Sequence, residues 1–403
     1  MPLLFCVYII FRTFATILTK KVIMIEVKAI GSHKDITKFI DFTNNLYKDN
    51  AYYVPDLALD LRNTFNPKKN AGFEFCDVQL FLAYKDGEVV GRVAGIINHR
   101  ANAKWNEKMV RFGWIDFIED IDVARALLDA VEAWGKERGM EGIEGPLGIT
   151  DLDKEGMLVE GFDRIGSVLT IYNYPYYPQI LEQLGFTKKV DWLELKVTVP
   201  DAIPEKYLKI TDIVMKRNNL RIKKPTGKDL LENGYGQKMF ELVNEAYAQL
   251  FGFSDISQKQ IDQYVREFLP LVDLDLVTLI ENADTGELIA FGACMPSLAN
   301  AMRKSGGKLF PFGWFHLLKA LKFKRFYEDT VNLMLIAVKP EYQSRGVNAP
   351  IFSDLIPHFQ RCKFKYANVC PMLETNSKVL AQWEYFEYEI ARRRRCFGKT
   401  MGN

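Results

Sequence analysis

Apolar positions along this chain change period several times, and each change marks a predicted element. Residues 25–29 alternate apolar and polar, the period of a half-buried strand. Ile36, Phe39, Ile40 and Leu46 then recur about one helical turn apart, which predicts a helix over residues 34–48. A second helix is expected over 56–65. Residues 80–84 and 89–98 are apolar and β-prone on either side of Lys85-Asp86-Gly87-Glu88, and read as a hairpin. A strand over 110–116 and a long helix over 120–138 follow. Gly139 is placed to end that helix, because a glycine tolerates the positive φ of a helix terminus. A strand over 141–144 stops at Gly145-Pro146.

The same order then recurs. After a helix over 205–218 come a strand-like 221–223, helices over 239–251 and 257–269, and a hairpin over 275–296 that turns at Asp284-Thr285-Gly286. An apolar β-type run over 331–338 leads into helical spacing over 349–362. Strand, helices, hairpin, strand and helix is an α/β order, with helices packed on a mixed, mostly antiparallel sheet. Its repetition predicts a duplicated unit. Length agrees, since 403 residues exceed one ordinary core and suit two domains. The expected division is 24–200 for the first, 201–220 for a linker helix and 221–403 for the second.

Composition removes several classes of function. Hydrophobic residues at 48% supply enough surface to bury against the entropy of ordering the chain, so a globular protein is expected. Fifty-three basic against fifty-one acidic residues leave a net charge of +2, which argues against a nucleic-acid partner. The six cysteines include no C-x-x-C pair and the four histidines are dispersed, so neither a metal site nor a disulfide framework is expected, and a reducing cytoplasm is the default location. Residues 1–23 are apolar but broken by Arg12, short for a membrane span, and carry Lys20-Lys21 after the apolar run, the reverse of a secretory leader. They read as an upstream start-site extension or a weak anchor.

The segment richest in chemistry runs Val338-Lys339-Pro340-Glu341-Tyr342-Gln343-Ser344-Arg345-Gly346-Val347-Asn348-Ala349, a strand end passing through a glycine turn into a helix. Such a turn aims backbone N–H groups outward at a helix N-terminus, where partial positive charge favours a phosphate, and Arg345 can add a charged donor. As a turn alone, it could equally be an ordinary strand-to-helix loop with a solvated arginine. These residues resemble the GNAT acyltransferase superfamily, whose pyrophosphate loop reads Gln/Arg-x-x-Gly-x-Gly/Ala after the fourth strand. Gln343 and Gly346 match its first and fourth places, and Asn348 departs at the last. The superfamily's downstream Asn followed by Tyr-Glu-x-x-Gly-Phe is echoed twice, at Asn173 with Leu181-Glu182-Gln183-Leu184-Gly185-Phe186 and at Asn376 with Trp383-Glu384-Tyr385-Phe386-Glu387-Tyr388. The resemblance covers residues 24–398 and implies two tandem GNAT-type domains.

It also implies acetyl-CoA or a longer acyl-CoA as co-substrate, held by Val338, Gln343 to Ala349 and Asn376 of the second domain. In the first domain Asp116-Phe117-Ile118-Glu119-Asp120 stands where that loop should be, and these carboxylates are expected to repel a pyrophosphate. The superfamily's general acid is commonly a tyrosine on the helix after the asparagine. Trp383 holds that place here, which leaves Tyr385 and Tyr388 as candidate acids. Asn332 holds the place on the fourth strand where a carboxylate often sits, with Glu328 and Asp329 just upstream as candidate bases or as plain surface charges.

Residues 308–326, from Lys308 to Phe326, interleave aromatics and leucines with Lys319, Lys322, Lys324 and Arg325. That composition suits a helix lying at a membrane interface or lining an acyl-chain groove, and also a helix packed on the core with solvated lysines. Arg392-Arg393-Arg394-Arg395 reads as a late strand, either meeting coenzyme phosphates or anionic lipid headgroups or, more commonly, forming a solvated charged edge that discourages pairing. The aromatic run Tyr172-Asn173-Tyr174-Pro175-Tyr176-Tyr177-Pro178 suits a packed domain interface better than an acceptor wall. The function expected is transfer of an acyl group from acyl-CoA to an amine, a small molecule or a lipid-like one, in the cytoplasm or peripherally at a membrane. The resemblance extends loosely to bacterial GNAT-like proteins proposed to acylate long-chain amines such as sphingoid bases. Aminoacyl-tRNA-dependent transfer and non-catalytic acyl-CoA or lipid binding stay open as alternatives.

Overall fold

Two residues joining β-prone runs suffice to build the first hairpin: Asp86 and Gly87 both take positive φ, 51° and 87°, and Lys85 pairs with Glu88 across them. The computed structural model describes residues 24–269, 272–323 and 327–402. The sequence readings of residues 1–23 and of Lys324, Arg325 and Phe326 fall outside them.

The first half comprises β1 (Ile25–Ile30), α1 (His33–Leu46), α2 (Ala58–Thr64), β2 (Cys76–Lys85), β3 (Glu88–Asn98), α3 (His99–Trp105), β4 (Met109–Phe117), α4 (Ile121–Lys136), β5 (Gly142–Gly145), β6 (Met157–Glu160), α5 (Tyr176–Gln183) and β7 (Thr187–Thr198). Helix α6 (Glu205–Arg217) leads to β8 (Leu220–Lys223), α7 (Gly227–Leu231), α8 (Tyr235–Tyr247), α9 (Gln258–Phe268), β9 (Val277–Asn282) and β10 (Leu288–Pro296). The second half closes with α10 (Ala299–Ser305), α11 (Gly313–Lys322), β11 (Thr330–Val338), α12 (Asn348–Arg361), β12 (Tyr366–Val369), β13 (Met372–Leu373), α13 (Ser377–Ala381) and β14 (Tyr388–Thr400). The α/β class and the duplicated order expected from the sequence are both present.

One sheet of fourteen strands runs through the molecule in the order β1-β2-β3-β4-β5-β14-β7-β12-β11-β10-β9-β8, with β6 and β13 paired to its centre. The order is a reciprocal exchange. β14, the last strand of the second half, lies between β5 and β7 of the first, while β7 lies between β12 and β14 of the second. The expected cut near residue 200 therefore divides the chain but not the sheet. Each half also repeats a parallel pair, β4 with β5 and β11 with β12, and a bulge on the strand before the following helix. Val93 faces both Trp114 and Ile115 in the first half, and Met334 is the extra residue between Leu333 and Leu335 in the second.

The arginine run corrects the sequence reading. It lies at the centre of the sheet, where β14 pairs with β7 from Tyr388↔Val197 to Gly398↔Thr187. Arg392 and Arg394 are buried on one face against buried Glu194. Arg394 also reaches the Thr170 hydroxyl at 2.8 Å and the Ile171 carbonyl. Arg393 and Arg395 turn to the other face and share buried Asp191, at 3.3 Å and 2.8 Å. Alternating residues along a strand point to opposite faces, so one run of four arginines neutralises two buried carboxylates. Burial alone raises the Glu194 pKa, and the two guanidinium charges reverse this, so it ends below the usual carboxylate range.

Candidate functional site

β11 is apolar and well paired at its start, then opens. Its parallel partnership with β12 runs only from Thr330↔Tyr366 to Leu333↔Val369, and the Cys370 N–H on the Leu333 carbonyl, at 3.3 Å, is the last bond. Beyond it the chain leaves to pair β13 with β7, while β11 continues to Val338. On the other side the Lys339 N–H bonds the Ile289 carbonyl at 2.9 Å. In an antiparallel register bonded pairs alternate, so residues 337 and 335 face β10 and Ile336 turns its N–H and C=O into the opening.

The Tyr247 hydroxyl, at the end of α8, donates to that Ile336 carbonyl at 3.0 Å. Burial pushes its pKa up to about 12. Two cysteines line the neighbourhood: burial raises Cys370 to about 12, while Cys294, buried on β10, is pushed higher still. Asn332 is buried at the closed end of the opening, where its Oδ1 accepts from Asn368 at 3.3 Å and its Nδ2 meets no partner among the described residues. Tyr247 was not singled out from the sequence; a lone tyrosine at a helix end carries no local signal there.

At the far end of β11 the chain turns into the next helix through residues 339–347. Ser344 and Gly346 take positive φ, 60° and 79°, and α12 begins at Asn348. Gln343 folds back so that its Nε2 donates to the Val338 carbonyl at 3.1 Å. Among the described residues the N–H groups of Ser344, Gly346, Val347 and Asn348 meet no backbone acceptor. Helix α6 lies beneath: a Cβ added at Gly346 would come to 3.3 Å from the Val214 side chain. The Asn348 amide is held sideways on Gln382 Oε1 at 2.8 Å. The Arg345 guanidinium stands 5.6 Å from the Tyr342 ring. Val347 and Ala349 are buried in the core beside Leu355.

The other sequence-selected residues divide between the two ends of β11. Asn376 caps α13, its side chain accepting from the Val379 N–H at 3.3 Å. Trp383 is buried and packs its ring 5.2 Å from Phe352 of α12, so the indole is part of the core. Tyr385 follows one turn after Gln382, exposed, with its ring 5.8 Å from buried Tyr207 of α6. Tyr388 is exposed at the start of β14. Glu328 and Asp329 precede β11, at the end away from the turn. Glu328 accepts from the Asn300 N–H at 3.0 Å, in the first turn of α10, and Asp329 pairs with Lys365 at 3.2 Å. A strand of this length spans about 27 Å, so the structure does not bring these two carboxylates to the turn.

The first half has the same frame and a closed site. Only Ile118, Glu119 and Asp120 join β4 to α4, and Asp120 caps that helix itself through the Asp122 N–H at 3.0 Å. Two of the three carboxylates expected to repel a pyrophosphate are already paired, Asp116 on Arg92 at 2.8 Å, Thr43 at 2.9 Å and Tyr47 at 3.0 Å, and Asp120 on Lys85 at 2.8 Å, while Glu119 is exposed. The opening beyond β5 is filled by the chain itself, since the Leu147 N–H bonds the Phe112 carbonyl at 3.0 Å and a Cβ at Gly113 would lie 2.4 Å from the Leu147 carbonyl.

A bulged strand that runs parallel to its neighbour and leads into a helix, repeated in both halves of one sheet, is the tandem fold of the GNAT acyltransferase superfamily, and the second copy alone keeps an opening and a glycine turn among the described residues. A tandem GNAT protein from the clavulanic acid biosynthesis pathway superposes with a TM-score of 0.54 over 94% of this chain and 99% of its own, at 11% identity. A GNAT protein from Sphaerobacter thermophilus gives 0.50 over 93% and 95%, at 10% identity. By sequence, Protein YghO of Escherichia coli is 29% identical over 383 residues, 93% of this chain and 95% of that one. The bacterial ceramide synthase of Caulobacter vibrioides is 27% identical over 335 residues, 81% of this chain and 84% of that one. No family model matches the chain.

Proposed function

We propose that this protein is an acyl-CoA-dependent N-acyltransferase whose acceptor is a long-chain amine. The GNAT fold and the relationship to a bacterial ceramide synthase support an N-acyltransferase in general. The observation that carries the donor is the 343–348 turn, where four N–H groups meet no backbone acceptor among the described residues and Arg345 stands at the N-terminus of a fourteen-residue helix. Asn348, the departure from the family pattern, fits this reading because its amide is turned onto Gln382 instead of over the N–H groups. The long-chain amine is inferred from the relative's name, since a ceramide is the amide of a fatty acid and a long-chain amino alcohol.

In this reading the diphosphate sits on the turn and the acyl thioester reaches along the open edge of β11 toward Met334. A neutral amine attacks the thioester carbon, the C–N bond forms, the C–S bond breaks, and the proton lost by nitrogen ends on sulfur. Tyr247 stays protonated across the working range because burial holds its pKa near 12, so its single O–H, held on the Ile336 carbonyl, serves as a hydrogen-bond donor to developing charge by turning from that carbonyl.

Calorimetry with acetyl-CoA and a long-chain acyl-CoA, followed by thiol release with long-chain amino alcohols, tests the proposal. Donor binding at one site per chain and turnover are expected. Tyr247→Phe should lower kcat about a hundredfold with donor affinity unchanged. A folded wild type that binds no acyl-CoA would remove the reading. Buried Trp383, where the family commonly has a tyrosine, favours a second reading, a non-catalytic acyl-CoA-binding protein; binding without thiol release would select it.

A further inference from the structure

Between β10 and β11 the second half carries a segment that buries little and exposes much. Helix α11 presents a narrow inward face: Gly313 and Ala320 are buried, and Leu317 packs with Val54, Ala299 and Met302. The segment is pinned. The Gly307 carbonyl accepts from the Ala58 N–H of the first half at 2.9 Å, and a Cβ on Gly313 would lie 1.7 Å from the Lys308 carbonyl. On the outward side Phe310, Phe312, Trp314, Phe315, Leu318 and Phe323 are 44% to 77% exposed. Among the described residues six Phe and Trp side chains are exposed, and five of them are here. Isolated apolar residues on a surface are ordinary, but a fixed cluster of this kind marks a surface that is covered in use.

Charge says what covers it. Residues 299–323 hold five cations, Arg303, Lys304, Lys308, Lys319 and Lys322, and no acidic residue, in a chain whose overall charges nearly cancel. Aromatics flanked by lysines on a short amphipathic helix are the composition of an interfacial anchor, with rings among the acyl chains and ammonium groups at anionic headgroups. No helix among the described residues is long and apolar enough to cross a membrane.

We propose that residues 308–323 dock this protein on the surface of an anionic lipid bilayer. Along the chain the segment precedes β11 and the 343–348 turn follows it, so docking through residues 308–323 does not engage the turn's own residues. The inference does not rest on the acyl-transfer chemistry, because binding to vesicles needs neither donor nor acceptor.

The test is co-sedimentation of the full chain with vesicles of phosphatidylcholine mixed with phosphatidylglycerol, and with phosphatidylcholine alone, alongside Trp314 emission. Wild type should partition to the anionic vesicles at low salt and less at high salt, with a blue shift that is absent in Trp314→Phe. Two variants with unfolding midpoints matching the wild type should each bind at least about tenfold more weakly: Phe310→Ser with Phe312→Ser and Phe315→Ser, and Lys308→Gln with Lys319→Gln and Lys322→Gln. Wild type that stays in the supernatant with anionic vesicles overturns the proposal. So does a sedimentation coefficient that rises with protein concentration and falls in the aromatic variant, which would make the patch a contact between copies.

Discussion

Two turns occupy matching places in the halves of this sheet and do different things. After β4, three residues carry the chain into α4, and Asp120 closes the helix N-terminus with its own carboxylate. After β11, a longer turn with two positive-φ residues leaves the N–H groups of Ser344, Gly346, Val347 and Asn348 without backbone acceptors among the described residues. A helix N-terminus can satisfy its donors with a side-chain cap or with a ligand, and one cap decides between them. The lesson is that a duplicated frame keeps its strands and bulges while a few residues determine which copy can hold an anion.

The comparison breaks most completely if the halves are separated. Each half lends its last strand to the other, so residues 24–200 and 201–403 expressed alone should lack cooperative unfolding, and mixing the two should restore it. Cooperative melting of either fragment by itself would show that the exchange is dispensable. Next in size is Arg394→Gln, which leaves buried Glu194 with Arg392 as its remaining charge partner and should reduce stability in urea by about 3–5 kcal/mol. A loss below about 1 kcal/mol would mean that Glu194 is reached by water.

A third change addresses the turns themselves. Gly346→Val forces a β-branched side chain into positive φ above Val214, and should weaken acyl-CoA binding about a hundredfold while the fold holds. Asp120→Gly, which uncaps α4, should leave the stoichiometry at one coenzyme per chain, because the first-half opening is filled by residues 146–150. Two sites in either protein would contradict this account.

The smallest effect probes that filling segment. Asp153 accepts from the Thr150 N–H at 2.9 Å, and burial raises its pKa from 3.8 to about 6. For a raised carboxyl pKa, the folded state favours the proton, so stability is full below the unfolded pKa and is lost as pH rises through about 6. Asp153→Asn should therefore be about 1–2 kcal/mol more stable than wild type at neutral pH, with the advantage gone at pH 4. An advantage that does not change with pH would place its origin elsewhere.

Much of the fold was legible in local pattern. The hairpin at Asp86-Gly87, the helix beginning at Asp120 and the turn around Gly346 each carry their cause within a few residues, namely positive φ, a cap, or apolar spacing. The arginine run was misread because its meaning lies 198 to 204 residues away. A row of cations looks like an exposed edge until Glu194 and Asp191 are found beside it. Trp383 could be read as a replaced acid from its place in a motif, but only packing against Phe352 makes it core. Glu328 and Asp329 precede the candidate strand at the end away from the turn, and only the fold shows them on the Asn300 N–H and on Lys365.

By itself, the sequence determined the duplicated α/β order, the lack of a glycine turn in the first half and the composition of the aromatic segment, because each depends on contacts within one or two elements. Tertiary structure alone decided the exchange of β7 and β14, the delivery of Tyr247 to the opening in β11 and the outward facing of Phe310 to Phe323. These depend on pairings between residues far apart in the chain. Local propensity sets which elements form, and burial of their faces, summed over the whole sheet, sets where they meet.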